Sequence, residues 1–295
     1  MRTAHRQGRV CDELHHHVVE SYPSVHQAMI PLEVDEQARP RCHDARIHQR
    51  MHAPHHRRPP LGTAAEALTQ EDYRALAQYW TPRFYQDTDN TFYKGDYLTR
   101  FNYDGDYVGK NNWNNLAAYS TVSAYVYYAV SETDTHYFLH YGVFHPRDWD
   151  DSGLPGTQHE NDFEGLSLVV QKGGTCGSLV ALETLAHDQF YQYAYAGGIT
   201  NGSDTVDGTA TLFGSHPRIF IEAKGHGIFN CDSRCTSAPG GDGIVYSEGG
   251  SVGSPSSGAG NWTSAYPYQL IAMDADGSLD GNQGFWYRRN DICDT

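Results

Sequence analysis

Residues 122–130, Val-Ser-Ala-Tyr-Val-Tyr-Tyr-Ala-Val, and 135–144, Thr-His-Tyr-Phe-Leu-His-Tyr-Gly-Val-Phe, flank the short polar run Ser131-Glu132-Thr133-Asp134. Two β-branched and aromatic runs around a polar turn read as a β-hairpin. The same pattern returns in segments 164–171, 178–185, 189–195, 218–223 and 268–273, separated by Gly-rich connectors. Such spacing predicts an all-β fold, an antiparallel β-sandwich with long loops. One helix is expected at about 69–80: Thr69 caps it, Asp72 stands three residues on, Tyr73, Leu76, Ala77 and Trp80 share a side, and Pro82 ends it. The Asp-, Asn-, Gly- and Tyr-rich stretch 84–115 reads as turn chemistry with embedded aromatics. The Gly/Ser-rich stretch 237–261 reads as a surface loop.

The chain has 295 residues and a formal charge of −15. That acidity argues against general nucleic-acid binding, which rests on Lys and Arg at phosphates. No apolar run is long enough for a membrane-spanning helix. Residues 1–62 hold nine Arg and seven acids, leaving 12 of the 21 basic residues and 29 of the 36 acids to 63–295. The first segment also carries 10 of the 17 His and shows no hydrophobic period. It is read as a disordered His/Arg-rich segment ahead of a single β-sandwich domain at 63–295. It lacks the apolar run and cleavage site of a standard secretory signal. Cys231 and Cys235 flank only three residues, with no second pair to complete a zinc site. A local disulfide, and hence an oxidising compartment, is the expectation.

The densest polar cluster is Phe144-His-Pro-Arg-Asp-Trp-Asp-Asp151, a Gly/Pro loop, then His159-Glu-Asn-Asp-Phe-Glu-Gly165. On a strand, Asp162 and Glu164 point to one face and Phe163 to the other. A turn just before that strand would swing His159 toward the same carboxylates. Asp162 and Glu164 repel each other unless something positive lies between them, a metal or Arg147. Oxygen-rich ligands favour Mg²⁺, Ca²⁺ or Mn²⁺ over Zn²⁺. The bland alternative is a solvated acidic loop entering a strand. Gly249-Gly-Ser251-Val-Gly253 matches a hydrolase elbow in letters, but no helical pattern follows it. Among the aromatics at 92–128, Tyr103, Tyr107 and Trp113 are the candidates for stacking on a sugar.

These residues resemble the core of the necrosis- and ethylene-inducing-peptide-like proteins. Tyr141-Gly-Val-Phe-His-Pro-Arg-Asp148 is similar to that family's Tyr/Phe-Pro-Lys-Asp segment. His159, Asp162 and Glu164 keep the spacing of the first His, the Asp and the Glu in its Gly-His-Arg-His-Asp-Trp-Glu heptapeptide. The vacuolar protein sorting-associated protein 62 family has a similar His-x-x-Asp-Trp-Glu core. Leu185-Ala-His187, His216-Pro-Arg-Ile-Phe-Ile and Gly225-His226-Gly extend the likeness over about 140–230. Gln158-His159-Glu160-Asn161 departs from Gly-His-Arg-His, and Phe163 stands for Trp. The resemblance implies that Asp148, His159, Asp162 and Glu164 surround a divalent cation.

Two functions follow as expectations. The first is an extracellular, cytolysin-like or lectin-like protein whose cation binds a glycan or glycolipid head group, with Tyr103, Tyr107, Trp113 and His226 along the ligand. The second is a metal-dependent hydrolase of phosphodiester, ester or glycosidic bonds, with His159, His187 or Glu160 moving protons. A third reading has the cation only pinning the loop 145–164.

Overall fold

The computed structural model describes residues 68–106, 108–150, 158–195, 200–201, 204–258 and 260–273. The 1–62 segment and Tyr107 lie outside them.

Helix α1 (Gln70–Tyr79) starts on a complete capping box: Thr69 accepts from the Asp72 backbone and Asp72 accepts from the Thr69 backbone. Its Leu76, Ala77 and Trp80 side is buried, as the sequence predicts. Two polar contacts fix the helix to the sheet. Trp80 Nε1 donates to the Cys176 carbonyl at 2.8 Å, and the Tyr141 hydroxyl donates to the Ala77 carbonyl at 2.7 Å.

The strands are β1 (Arg83–Gln86), β2 (Tyr125–Glu132), β3 (His136–Asp148), β4 (His159–Gln171), β5 (Ser178–Ala186), β6 (Gln189–Ala194), β11 (His216–Ile221), β12 (Ile228–Asn230), β13 (Ile244–Glu248) and β14 (Ala265–Ala272). Four two-residue strands, β7 (Thr200–Asn201), β8 (Asp204–Thr205), β9 (Gly208–Thr209) and β10 (Leu212–Phe213), fill the connection from β6 to β11. A short helix, α2 (Asn112–Asn115), precedes β2.

The β2–β3 hairpin and the β4, β5 and β6 meander form as read from the sequence. The antiparallel sandwich does not. Hydrogen bonds join all the strands but β7 and β8, which pair with each other, into one curled sheet in the order β10-β11-β1-β13-β14-β2-β3-β4-β5-β6-β9, with β12 on β11. The joint is β14, which returns between β13 and β2 and pairs in parallel with both. β1 is likewise parallel to β11. Strand spacing along a chain reveals the elements but not their partners, so this closure is invisible to pattern reading. Curling brings β12 against β5. The 237–261 stretch also contains β13, a strand the Gly/Ser composition conceals.

The main core fills the inside of the curl, with Phe84, Leu98, Val126, Leu139, Tyr141, Leu168, Ile221, Ile244 and Tyr268 among its buried members. On the other face of β3 and β4 lies a smaller cluster of Phe101, Tyr127, Phe144, Phe163 and Met273. Cys231 and Cys235 form the expected local disulfide. Cys176 is disulfide-bonded as well.

Candidate metal centre

β3 and β4 are long strands in continuous register, from His136 opposite Gln171 to Asp148 opposite His159. This register sets Val143 against Glu164 and His145 against Asp162. Paired residues share a face, so Asp162 and Glu164 lie on one face, as expected, and it is the inner face that Val143 also occupies.

His159 reaches the same face by a different route from the expected turn. It lies inside β4, three residues before Asp162, where strict alternation would send it to the opposite face. Between them Asn161 has a left-handed backbone, φ 64°. Asn is among the few residues that accept this region readily. The break in alternation splits the strand end. Asp148 and His159 join Asp162, with one ligand atom from each all within 4.8 Å of one another. Arg147 and Glu160 go to the other side. There Glu160 Oε2 accepts from the Trp113 backbone at 2.7 Å, and Arg147 donates to the Trp113 carbonyl while its guanidinium lies 4.7 Å over the Trp113 ring. Arg147 is therefore not the positive group between the carboxylates, and Glu160 is not part of the centre.

Imidazoles occupy that place. His159 Nε2 is 3.2 Å from Asp148 Oδ2. Burial opposes its charge, yet the Asp148 hydrogen bond and the Asp162 charge raise its pKa to about 9. Behind it, His226 is wholly buried. Its Nδ1 donates to Asp162 Oδ2 at 2.8 Å and its Nε2 to Asp96 Oδ1 at 3.2 Å. Burial again opposes the charge, and hydrogen bonds to the two carboxylates overcome it, raising His226 to about 9. Asp96 also accepts from the backbones of Lys224 (2.8 Å) and Asp89 (2.7 Å), while burial pushes its own pKa up. His226 is stacked on His145, centroids 3.8 Å apart and planes 6° apart. His145 is held well below its usual pKa by burial and then by His226, and its Nε2 meets Gln86 Oε1 at 3.0 Å.

A second set of ligand atoms, from His145, Asp162 and His226, is equally close together. A metal lies in the plane of each imidazole it binds, about 2.0–2.1 Å from nitrogen. Two parallel stacked rings cannot place one ion in both planes. Only the Asp148, His159 and Asp162 set, with its single imidazole, offers an ion a place in the plane of every ring it contributes, and His226 holds one oxygen of Asp162 beside it.

Glu164 stands beside this set. It is buried, and its Oε1 accepts from the His187 backbone at 3.0 Å while Oε2 has no partner among the described residues. Burial, then the charges of Asp162 and Asp148, hold its carboxyl well above the usual range. An orphaned, buried carboxyl oxygen next to two carboxylates fits a divalent cation as the absent neighbour. With one imidazole and several carboxylates, the donors suit Mn²⁺, Mg²⁺ or Ca²⁺.

His187 is half-exposed at the rim, with Nε2 2.6 Å from Glu222 Oε1. That bond, working against burial, raises its pKa. Of the aromatic candidates, the described Tyr103 and Trp113 are both partly buried. Tyr103 is half-buried against Tyr119 and donates its hydroxyl to the Asn112 carbonyl at 2.7 Å. Trp113 is partly covered by Arg147. His226, fully buried, is a support for Asp162 and not a ligand contact. Asp96, His145 and Gln86 were missed by sequence reading. Asp96 sits among turn residues with no local signal, and β1, which supplies Gln86, was itself unread.

No family profile matches the chain, and no curated protein matches it. Several solved structures do. "Crystal structure of non-toxic HaNLP3 protein" is 12% identical, covers 76% of this chain and 81% of that one, and has a TM-score of 0.39. Necrosis and Ethylene inducing Protein 2 from the causal agent of cocoa's Witches Broom disease is 13% identical, covers 78% and 82%, and has a TM-score of 0.33. NLPPya in complex with glucosamine is 16% identical, covers 68% and 72%, and has a TM-score of 0.29.

Proposed function

We propose that this chain is an extracellular, divalent-cation-dependent binding protein whose cation, held by Asp148, His159 and Asp162, docks a glycan or glycolipid head group. The convergence of these three ligand atoms within 4.8 Å, beside the orphaned Glu164 Oε2, carries the reading. A bound cation supplies coordination positions for neighbouring hydroxyls of a sugar. The chain's own residues prepare the place. Asp148 and His159 lie at the half-exposed end of the β3–β4 hairpin, whereas Asp162 and Glu164 are buried beneath them. His226 fixes one oxygen of Asp162, leaving the carboxylate oriented. The net negative charge of 63–295 concentrates cations near the surface. The Cys231–Cys235 disulfide supports an oxidising, extracellular setting.

The test is a glycan-array screen with Mn²⁺ or Ca²⁺, repeated with EDTA and with Asp148→Asn. Loss of every glycan signal in both controls is expected. Signals that survive both would overturn the reading.

One observation favours a hydrolytic variant of it. The half-exposed His187 is paired with Glu222 and bonded through its backbone to Glu164, which makes it the residue placed to take a proton from water. Chelator-sensitive turnover of a phosphodiester, ester or polysaccharide, lost in His187→Gln with cation binding intact, would establish it. Absence of turnover on all three substrate types would remove it.

A further inference from the structure

The end of β1 and the loop before β13 bring together a second set of oxygens, with no residue in common with the centre above. Asp242 is 7% exposed and Thr88 is 3% exposed. Asp242 Oδ2 and Thr88 Oγ1 have no hydrogen-bond partner among the described residues. The β1–β13 register pairs Phe84 with Tyr246 and Gln86 with Ile244. Continued by two residues, it brings Thr88 level with Asp242, which lies beyond the left-handed Gly243. The two segments are still in contact there, since a Cβ on Gly243 would stand 3.0 Å from the Gln86 carbonyl oxygen. Backbone also closes on both side chains. A Cβ on Gly258 would come within 2.9 Å of Thr88 Oγ1, and one on Gly240 within 2.8 Å of Asp242 Oδ1.

Asp87 borders these two residues. Burial raises its carboxyl to about 7, and Asp242 is the charge that acts on it most, ahead of Asp96. Neither Asp87 nor Asp242 forms an ion pair with Lys or Arg among the described residues. Two neighbouring carboxyls with no counter-charge and a buried orphan hydroxyl are costly to desolvate unless a cation joins them.

We propose that Asp87, Thr88 and Asp242 form a second divalent-cation site, selective for Ca²⁺. The set is all oxygen, with two carboxylates to balance the charge and a hydroxyl as a neutral ligand. Ca²⁺ takes such mixed oxygens in flexible geometry, whereas Mg²⁺ demands a near-octahedral shell and keeps its waters. The missing imidazole separates this site from the His159 centre in metal preference. Gly240, Gly241 and Gly243, with φ of 71°, 82° and 129°, allow the loop to fold around Asp242 in a way other residues resist. The site does not depend on the function proposed above.

The experiment is calorimetry with Ca²⁺ and terbium luminescence on the full chain. The Trp262 ring lies against Gly243, so terbium bound at Asp242 is excited through it. The wild type should take up two Ca²⁺ equivalents. Asp242→Asn should lose one equivalent together with the emission that Trp262→Phe also removes, while Trp262→Phe itself keeps both equivalents. Asp148→Asn should lose the other equivalent and keep that emission. Asp87→Asn, at the half-buried edge, should weaken the second equivalent at least tenfold and serves if Asp242→Asn does not fold. Two equivalents retained in Asp242→Asn and in Asp87→Asn would overturn the proposal. So would a wild-type protein whose only equivalent vanishes in Asp148→Asn.

Discussion

Asn161 decides which way His159 points, and replacing it separates backbone geometry from hydrogen bonding. Its side chain makes two bonds, accepting from Asn112 Nδ2 at 2.5 Å and donating to the Gly109 carbonyl at 2.7 Å. Asn161→Gly and Asn161→Val both lose them, at about 0.5–1.5 kcal/mol each. Only Val must also hold a β-branched residue at φ 64°, which adds about 1–2 kcal/mol. Gly loses roughly 0.4–1 kcal/mol through the entropy of the unfolded chain. The stability gap between the variants therefore narrows to about 1 kcal/mol, and metal binding is the sharper readout. That strain is the most the gap can hold, because Val relieves it by moving toward the extended region, and this movement turns His159 away from Asp148 and Asp162. Mn²⁺ calorimetry should show the Gly variant near wild-type affinity and the Val variant at least tenfold weaker, with urea unfolding in EDTA giving the stability gap. Equal Mn²⁺ affinity in the two variants would refute the role given to Asn161.

The charge on His159 makes cation binding depend on pH. Its folded pKa of about 9 is above the ordinary His value, so the Asp148–His159 pair stabilises the metal-free protein fully below about pH 6.5 and progressively less as pH rises through about 9. Mn²⁺ must displace that proton, so affinity should climb up to tenfold per pH unit over that window, with the climb removed in His159→Gln; a flat calorimetric profile would contradict this. Asp96→Asn removes one of the two carboxylates around buried His226 and should lower urea stability by about 3–5 kcal/mol, whereas a loss under 1 kcal/mol would mean that the pair is not needed. Gly95→Ala places a Cβ 2.4 Å from the Trp149 ring, which itself stands edge-on to His226, and should cost about 1–3 kcal/mol of stability with a shift in Trp fluorescence. An unchanged spectrum and melting point would show that Trp149 has room to move.

The parts legible in the sequence are those set by neighbours in the chain. The Thr69–Asp72 box fixed the start of α1 because both its hydrogen bonds are local. The alternating β-branched and aromatic runs marked β2 to β6 because each is long enough for a period of two to stand out. β1 and β13 have four and five residues and stand among Asp-, Gly- and Ser-rich segments, so only their partners make them strands. The sandwich was replaced by a curled sheet because β14 pairs with strands distant from it in sequence on both sides. The same division runs through the site. Asp148, His159 and Asp162 were visible as a ligand-rich pair of segments, but the left-handed turn at Asn161 that unites them was not, since strand parity alone sends His159 the wrong way. Asp96 had no local signal, and His145, though inside the polar cluster, was not singled out, because their value lies in what the fold sets against His226.

The most direct test is whether a cation binds to Asp148, His159 and Asp162 or between the stacked rings of His145 and His226. Electron spin-echo modulation of bound Mn²⁺ counts directly coordinated imidazole nitrogens. One coupled nitrogen, lost in His159→Gln and retained in His226→Gln, is the predicted result. Two coupled nitrogens, or one that persists without His159, would contradict it.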